Sequence, residues 1–297
     1  MKGKENVMVK IENGTIQLEI AERGAEMMSL RLCGKEYLWQ GDPAIWEDRA
    51  PIMFPICGRL NEQRYFHNGR EYNMGLHGLL WKCDLTLTEK TDTSAVLTLT
   101  DNEDTRAAYP FNFEVNVSYT LVENSVKVGF SVKNTGDRTM YFSHGYHPGF
   151  NLPYDEDGKF SDCYVEFSEE CSPKLVDMSN TTYLLTGKYP EYPVTDGKII
   201  PLSNEMFDLS STFLKDTARE LTVRDKNSKH SVKVSFPECE YLGLWQAAQL
   251  QAKYICIEPW NGLPDMDGVS GEFKDKIAMK ALAPDDVYTN EIVITLN

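Results

Sequence analysis

The sequence of 297 residues lacks the long apolar runs and the excess of positive charge on which two large classes of protein depend. No stretch approaches the roughly 18 consecutive apolar residues of a membrane-spanning helix, and residues 1–10 contain no apolar core, so we expect no signal peptide. The net charge of −15 argues against a surface for nucleic acid or an anionic membrane, because both need basic patches. A phosphorylated substrate stays open, since one or two local arginines can bind a phosphate.

The cysteine and histidine patterns of metal and disulfide sites are also missing. Seven scattered cysteines, an odd number without a Cys-x-x-Cys pair, predict reduced, mostly buried thiols in a cytoplasmic protein. His144 and His147 are three residues apart, which suits metal ligands on a helix, but Gly145, Pro148 and Gly149 argue against a helix there. Since no zinc-ligand spacing occurs elsewhere either, the sequence predicts no metal.

Three glycine-containing motifs are absent as well. The sequence has no Gly-x-Gly-x-x-Gly, no lysine loop of the Walker type and no Gly-x-Ser-x-Gly. These absences argue against a dinucleotide cofactor, a phosphate-cradling loop and the nucleophile of an α/β-hydrolase. We therefore predict a protein without a cofactor.

Strand alternation between turns is what the sequence contains instead. Apolar and polar residues alternate over residues 113–121, and the pattern repeats over residues 126–132 after a turn, as in half-buried antiparallel strands. Similar signals predict hairpins around Asn13-Gly14, Gly34, Asn68-Gly69 and Asn227-Ser228, and a last strand at residues 292–296.

Helical periodicity is nearly absent, with short helices predicted only at residues 43–46 and 204–209. The sequence thus predicts an all-β fold, a large antiparallel sandwich or barrel, as a single domain over residues 1–297. Residues 161–200, which contain three prolines, are predicted as a loop-rich excursion that forms part of a cleft wall.

One predicted apolar strand carries a carboxylate at its end. In residues 253–264, Ile255 and Ile257 form one face and Glu258 lies on the other. Pro259, Gly262 and Pro264 are predicted to stop the sheet. Trp260 follows directly, and a flat apolar ring beside a fixed carboxylate can hold a sugar. The alternative is a structural carboxylate bonded to a neighbouring loop.

The five histidines divide into two groups. His67 and His230 lie in polar turns and are predicted to be exposed, whereas His77 and the pair around residues 144–147 are candidates for a site. Pro148 biases His147 towards an extended backbone, as Pro259 does for Glu258. Arg59 follows an apolar strand and is a candidate guanidinium, although most single arginines are simply exposed.

Five short segments in a fixed order resemble the aldose 1-epimerase (galactose mutarotase) superfamily, and within it the LacX-type branch. They span nearly the whole chain, and Tyr109-Pro110-Phe111 supports them. The matching segments are Gly24-Ala25-Glu26, Pro-x-x-Gly-Arg at residues 55–59, Leu-His-Gly at residues 76–78, His-Pro-Gly-Phe-Asn-Leu at residues 147–152 and Ile-Glu-Pro-Trp at residues 257–260.

This resemblance implies a β-supersandwich with an open cleft, and a cofactor-free interconversion of the α and β anomers of an aldohexose. It implies that Glu258 takes the proton of the anomeric hydroxyl, that His147 protonates the ring oxygen, and that Arg59 and His77 position the sugar. His144 is the second choice for the acid.

The family's sugar-binding aspartate has only a loose match here in Asp208. Trp260, Trp245 and Gln246 are expected to line the cleft. The residue types fit the reaction independently, because anomer exchange needs a base and an acid at adjacent oxygens, which carboxylate and imidazole supply near neutral pH.

Three other functions are compatible with parts of the pattern. A hexose-6-phosphate 1-epimerase would need more arginines at the cleft, and the candidates Arg64, Arg70 and Arg106 stand in no motif. A non-catalytic sugar-binding protein on the same scaffold would not need both an acid and a base. A two-carboxylate glycosidase would need a carboxylate opposite Glu258, and Asp265 and Asp267 are too near it in sequence.

Overall fold

The protein is described here by a computed structural model that covers residues 7–208 and 211–297. Residues 1–6, part of the segment in which no signal peptide is expected, and Leu209, the last residue of a predicted helix, lie outside the described residues. The strands of the described part, in chain order, are β1 (Met8–Glu12), β2 (Ile16–Ala21), β3 (Met27–Leu32), β4 (Lys35–Glu36), β5 (Ile52–Met53), β6 (Arg64–His67), β7 (Arg70–Asn73), β8 (Thr86–Lys90), β9 (Ser94–Thr100), β10 (Phe113–Val122), β11 (Ser125–Asn134), β12 (Met140–Phe142), β13 (Gly145–Tyr146), β14 (Gly149–Asn151), β15 (Cys163–Phe167), β16 (Lys174–Leu175), β17 (Ile199–Pro201), β18 (Thr212–Lys215), β19 (Glu220–Asp225), β20 (Ser231–Ser235), β21 (Tyr241–Trp245), β22 (Tyr254–Trp260), β23 (Lys280–Leu282) and β24 (Val287–Leu296).

Helical structure is confined to short segments in this part of the chain. They are the α-helix α1 (Glu103–Ala108) and the 3-10 turns Asn61–Gln63, Leu80–Lys82, Phe160–Asp162, Asn204–Phe207 and Phe273–Asp275. No helix within residues 7–208 and 211–297 has the length and apolarity that crossing a membrane requires.

Two large antiparallel sheets dominate the fold. One has nine strands in the order β17-β15-β19-β20-β24-β11-β10-β9-β8. The other has seven, in the order β16-β18-β21-β22-β13-β5, with β14 also paired to β22. A four-stranded sheet, β1 to β4, and two two-stranded sheets, β12-β23 and β6-β7, complete the architecture. The predicted all-β antiparallel fold is confirmed.

A single large core joins the inner faces of these sheets. Val117 of β10, Leu244 of β21 and Ile257 of β22 are fully buried and belong to the same apolar cluster. The alternation predicted for residues 113–132 is observed as β10 paired with β11, with Val117 opposite Phe130. Burial of these alternating side chains is the main driving force that fixes the register, because a slip of one residue would turn each of them to the other face.

Two expected helices differ from the observed structure. Residues 43–46 form a tight turn around Asp42, whose side chain accepts the Ala44 N–H and whose carbonyl accepts the Ile45 and Trp46 N–H groups. An aspartate that bonds its own following backbone in this way favours a turn over a helix. The second expected helix is a single 3-10 turn, Asn204–Phe207.

The helix α1 was missed by the sequence analysis. It has six residues and begins with a capping box, in which Asn102 and Thr105 each bond the other's backbone N–H. Six residues are too few for a clear apolar period, so only the Asn-x-x-Thr spacing signals this helix.

The expectation that Pro259 ends its strand is wrong, since β22 continues to Trp260. The N–H groups of Ile257 and Asn261 point to the same flank and donate to the carbonyls of Pro148 and His144. Pro259 lies between them and faces the break between β13 and β14. A residue without an N–H is tolerated there because the interrupted neighbour leaves no ladder bond to lose.

The two histidines expected in exposed turns are both more buried than predicted. His67 is only 8% exposed, and its ring lies 4.8 Å from that of Phe111. His230 is half-buried, and its Nδ1 lies 2.8 Å from the Tyr37 hydroxyl. The prediction that most of the thiols are buried is confirmed, because four of the seven cysteines are buried.

Candidate active site

A cleft of about 480 Å³ lies beside the end of β22. This volume falls in the range of small-molecule sites, which are typically apolar with a few fixed polar groups. The aromatic side chains that line it in the described part of the chain are Trp46, Trp81, Tyr183, Phe207, Phe213, Trp245 and Trp260. The ionisable side chains among the same residues are Asp48, Arg59, His77, Tyr183, His147 and Glu258.

The break between β13 and β14 brings His147 to the floor of this cleft. Both short strands pair with β22, Gly145 opposite Trp260 and Gly149 opposite Cys256, so the chain between them bends away from the sheet. A side chain at Gly145 would place its Cβ 2.7 Å from the Trp260 ring, so only glycine permits this approach. His147 therefore projects towards Glu258, which comes from the neighbouring central strand.

His147 and Glu258 form a close buried pair. The Nε2 atom of His147 lies 3.3 Å from Oε2 of Glu258. The two residues are 8% and 1% exposed, yet both line the cleft. Nδ1 of His147 and Oε1 of Glu258 have no hydrogen-bond partner among the described residues, so the pair keeps unused polar capacity.

Burial drives both members of the pair towards their neutral forms. Desolvation raises the pKa of Glu258 well above its usual range, and it lowers the pKa of His147 to about 4. The indole N–H of Trp260 lies near the Glu258 carboxylate and partly opposes the rise in its pKa, but it falls short of hydrogen-bond geometry. A pair that shares one proton at 3.3 Å can hold it on either atom with little movement.

His77 is held by the backbone of the loop that carries Arg59. The Gly58 N–H donates to His77 Nδ1 at 3.1 Å, and burial lowers the pKa of His77 well below its usual value. The imidazole is therefore neutral with its proton on Nε2, which can donate a hydrogen bond. His77 also has a left-handed backbone, with φ of +59°, so the turn itself is strained.

Gly78 makes this turn possible, and we expect Gly78→Ala to destabilise the protein by about 2–4 kcal/mol. Its φ is +78°, and an added Cβ would lie 2.3 Å from the Phe54 carbonyl oxygen. Gly69→Ala is the matched control, because Gly69 has a φ of +73° with nothing within 4 Å of the added Cβ. Urea unfolding of both variants would separate the close approach from the cost of positive φ; equal losses would contradict this account.

Arg59 and the excursion at residues 161–200 meet across the cleft mouth. The Arg59 side chain is exposed, and its guanidinium carbon lies 5.2 Å from the centre of the Tyr183 ring. Met178 and Tyr183, both from the excursion, line the cleft. The prediction that this segment forms part of a cleft wall is confirmed, but the segment is not a loop from its start, because residues 163–167 form β15 within the nine-stranded sheet.

Trp245 and Trp260 both line the cleft, on different sides of the pair. The Trp245 ring lies edge-on to His147 at 5.5 Å, and the Trp260 ring lies 4.2 Å from Phe213 and 5.6 Å from His77. Gln246 points elsewhere. It is buried, and its side chain bonds Asn204 and the carbonyls of Ala252 and Tyr254, so it supports the loop after β21.

His144 and Asp208 are not among the described residues that line the cleft. His144 is fully buried with its ring stacked 4.6 Å from Phe130, and burial lowers its pKa to about 3. Asp208 ends the 3-10 turn Asn204–Phe207 and is half-buried. In their place the structure brings Asp48 to the cleft. Burial raises the pKa of this carboxyl, and sequence analysis missed it because no motif marks that loop.

A third candidate ligand atom lies close to the pair. His147, Cys256 and Glu258 each offer one atom, and these atoms lie within 4.8 Å of one another. Cys256 and Glu258 share a face of β22 because they are two residues apart. Imidazole, thiolate and carboxylate are together a set that a transition-metal ion can use.

Residues 7–295 match the family model described as aldose 1-epimerase. The chromosomal LacX protein of Lactococcus lactis subsp. lactis is 30% identical over 305 aligned positions, which cover 97% of this chain and 99% of LacX.

Solved structures of galactose mutarotase-like proteins have the same fold as this chain. A galactose mutarotase related enzyme from Lactobacillus acidophilus is 31% identical, with a TM-score of 0.94 and coverage of 98% of this chain and 97% of the other. A galactose mutarotase-like protein from Lactobacillus casei is 28% identical, with a TM-score of 0.93 and coverage of 98% and 100%. The predicted resemblance is confirmed over nearly the whole chain.

Proposed function

Because the chain belongs to the aldose 1-epimerase family, we propose that it is an isomerase that interconverts the α and β anomers of a free aldohexose in the cytoplasm. The observation that carries this proposal is the pair of His147 and Glu258, 3.3 Å apart at the floor of the cleft. A carboxylate and an imidazole in that position can serve adjacent oxygens of one sugar ring.

The reaction follows from moving two protons. With the proton that the pair shares on His147, Glu258 is a carboxylate and takes the proton of the anomeric hydroxyl. The carbonyl bond forms at C1, the bond between C1 and the ring oxygen breaks, and His147 donates its proton to that ring oxygen. Rotation about the bond between C1 and C2 then presents the other face of the carbonyl. Ring closure reverses each proton transfer, so the pair returns to its starting state.

The surroundings of the pair suit a sugar in two ways. Trp245 and Trp260 offer flat apolar surfaces to the apolar face of a pyranose, which also excludes water from the reacting oxygens. Asp48, Arg59 and the Nε2–H of His77 offer an acceptor and two donors for the hydroxyl groups around the ring.

The charges at the cleft favour a free aldose over a hexose phosphate. Among the described lining residues Arg59 is the one arginine, and it shares the cleft with two carboxyl groups, Asp48 and Glu258. The other candidate arginines have partners elsewhere: Arg64 pairs with Glu62 and Glu71, Arg70 lies over Tyr72, and Arg106 pairs with Asp101. A phosphate group would thus meet one cation and two carboxyl groups.

The two-carboxylate glycosidase gains no support from Asp265. That carboxylate is buried and accepts hydrogen bonds from Lys276 Nζ at 2.6 Å and from the Asn61 N–H at 2.9 Å. Its charge is used to fix the loop that follows Arg59, and it does not face Glu258 across the cleft.

Saturation-transfer NMR between the α and β anomeric protons tests the proposal directly. In weak buffer, the protein should accelerate exchange of glucose or galactose well above the uncatalysed rate. Acceleration of hexose 6-phosphates alone would replace the free aldose by a phosphorylated one. Sugar binding without acceleration of any aldose would instead support the non-catalytic sugar-binding protein.

We expect Asp48→Asn to raise the KM of the aldose about 10–150-fold, because a hydrogen bond to a charged group contributes roughly 1.5–3 kcal/mol. Asp208→Asn should leave KM within about twofold, because Asp208 does not line the described cleft. Initial rates of anomer exchange over a range of sugar concentrations measure both variants. The reverse ranking would return Asp208 to the sugar site.

A further inference from the structure

The buried pair and Cys256 form a compact group with the dimensions of a metal site. Nε2 of His147 and Oε2 of Glu258 are 3.3 Å apart. A tetrahedral zinc ion with bonds of about 2.0–2.1 Å to nitrogen and oxygen has ligand atoms about 3.3–3.4 Å apart. The candidate sulfur atom lies within 4.8 Å of the other two ligand atoms. A Zn–S bond of about 2.3 Å sets a tetrahedral spacing of about 3.6 Å, so the Cys256 side chain would close on the ion.

Two further features point to a ligand at this position. Oε1 of Glu258 is buried without a hydrogen-bond partner among the described residues, although a buried carboxylate oxygen normally has one. His147 and Glu258 also line the open cleft, whereas Cys256 is fully buried, so an ion would enter from the cleft and could keep a fourth position open to it. Three protein ligands and one open position is the arrangement of many zinc sites.

We propose that His147, Cys256 and Glu258 form a binding site for a transition-metal dication of the Zn²⁺ type, and that the ion excludes the sugar. The second half of this statement depends on the proposed function, because the ion occupies the atoms that would carry the proton transfers. Imidazole, thiolate and carboxylate favour Zn²⁺ over Mg²⁺ or Ca²⁺, which prefer oxygen ligands. On binding, the Cys256 thiol and the Glu258 carboxyl would each lose a proton to solvent, and bonds from the ion to sulfur, oxygen and the neutral imidazole nitrogen would form.

Cobalt spectroscopy tests the site without any assay of activity. Co²⁺ added to the metal-free protein should give a thiolate-to-cobalt charge-transfer band and the strong visible bands of tetrahedral cobalt, and one equivalent of Zn²⁺ should remove both. In Cys256→Ala the thiolate band should vanish and the affinity for Zn²⁺ should fall at least about 100-fold. Even the loss of an outer partner of a metal ligand costs 10–100-fold.

Two thiol variants serve as matched controls. Cys57→Ala removes another buried thiol, and Cys33→Ala removes an exposed one; both should keep the band and the affinity. A thiolate band that survives Cys256→Ala, or that disappears in Cys33→Ala, would overturn the proposed site. A cobalt complex without any thiolate band would do the same.

Competition with sugar separates the two halves of the proposal. Saturating aldose should weaken Zn²⁺ binding in the wild type and in Cys57→Ala, and Zn²⁺ should inhibit anomer exchange. Cobalt bands that depend on Cys256 but do not respond to sugar would keep the metal site and reject its overlap with the sugar. Failure of the proposed epimerase activity would leave the spectroscopic result unchanged.

Discussion

Glu258→Gln should slow anomer exchange by about 10²–10⁴-fold, the usual contribution of a positioned general base. The amide has nearly the same shape as the carboxylate but cannot accept a proton from the anomeric hydroxyl. The surrounding strand should not move, because every residue of β22 is buried and Glu258 is paired with Gly243 of the neighbouring strand β21. Saturation-transfer NMR at saturating sugar measures the loss.

Glu238→Gln is the control, because Glu238 is exposed and outside the cleft. It should retain the wild-type rate. A Glu258→Gln rate within about tenfold of the wild type would exclude this carboxylate as the general base.

Glu258→Gln should also be more stable than the wild type above neutral pH. Burial raises the pKa of Glu258 above its ordinary value of 4.5. The stability contributed by the protonated carboxyl is complete below that value and is lost as the pH rises through the folded-state pKa. Glutamine has no charge to desolvate, so Tm should rise in Glu258→Gln at pH 8 and not in Glu238→Gln. Greater stability with lost activity is typical of a functional residue that the fold holds at a cost.

His147→Asn should lower the exchange rate by a similar 10²–10⁴-fold, because ring opening then lacks its proton donor. The two residues act in the same step, one removing and one donating a proton, so the double variant with Glu258→Gln should be little slower than the slower single variant. Rates measured by the same NMR experiment give this comparison. A multiplicative loss in the double variant would show that the two side chains act independently.

The pH profile of the wild type adds a second readout for this pair. Catalysis needs one proton shared between the two groups, so kcat/KM should fall as the pH drops through about 4, where His147 gains a proton. It should fall again as the pH rises through the elevated pKa of Glu258, where the last proton leaves. In His147→Asn the acidic limb should move, since the imidazole that defines it is gone. An unchanged acidic limb would assign that titration to another group.

The local pattern of the sequence was sufficient for most of the fold. Apolar alternation in residues 113–132 reports directly which side chains face the core, and β10 and β11 pair as that pattern predicts. Short-range turn signals such as Asn13-Gly14 work for the same reason, since they depend on only a few neighbouring residues. The prediction that Pro259 ends β22 was wrong because the cost of a missing N–H depends on whether the neighbouring strand has a carbonyl opposite it. Beside Pro259 that neighbour is interrupted between β13 and β14.

The candidate site was predictable where a motif marked it. Glu258, His147, His77, Arg59, Trp245 and Trp260 all come from segments that the sequence singled out, and all six line the cleft. Asp48 lies in a loop without a recognisable motif, and Asp208 matched the sugar-binding aspartate of the family only loosely. No local signal distinguishes the carboxylate that reaches the cleft from the one that does not.

The sequence by itself therefore determined the strands, the sheet-forming faces and the family to which the chain belongs, because these depend on local order along the chain. Only the tertiary structure decided that β22 and the break between β13 and β14 bring His147 within 3.3 Å of Glu258. It also decided that Cys256 joins them and that Asp48 lines the cleft where Asp208 does not. Distances between residues far apart in sequence, and the burial that shifts their pKa values, are set by which strands become neighbours. No single stretch of sequence encodes that arrangement.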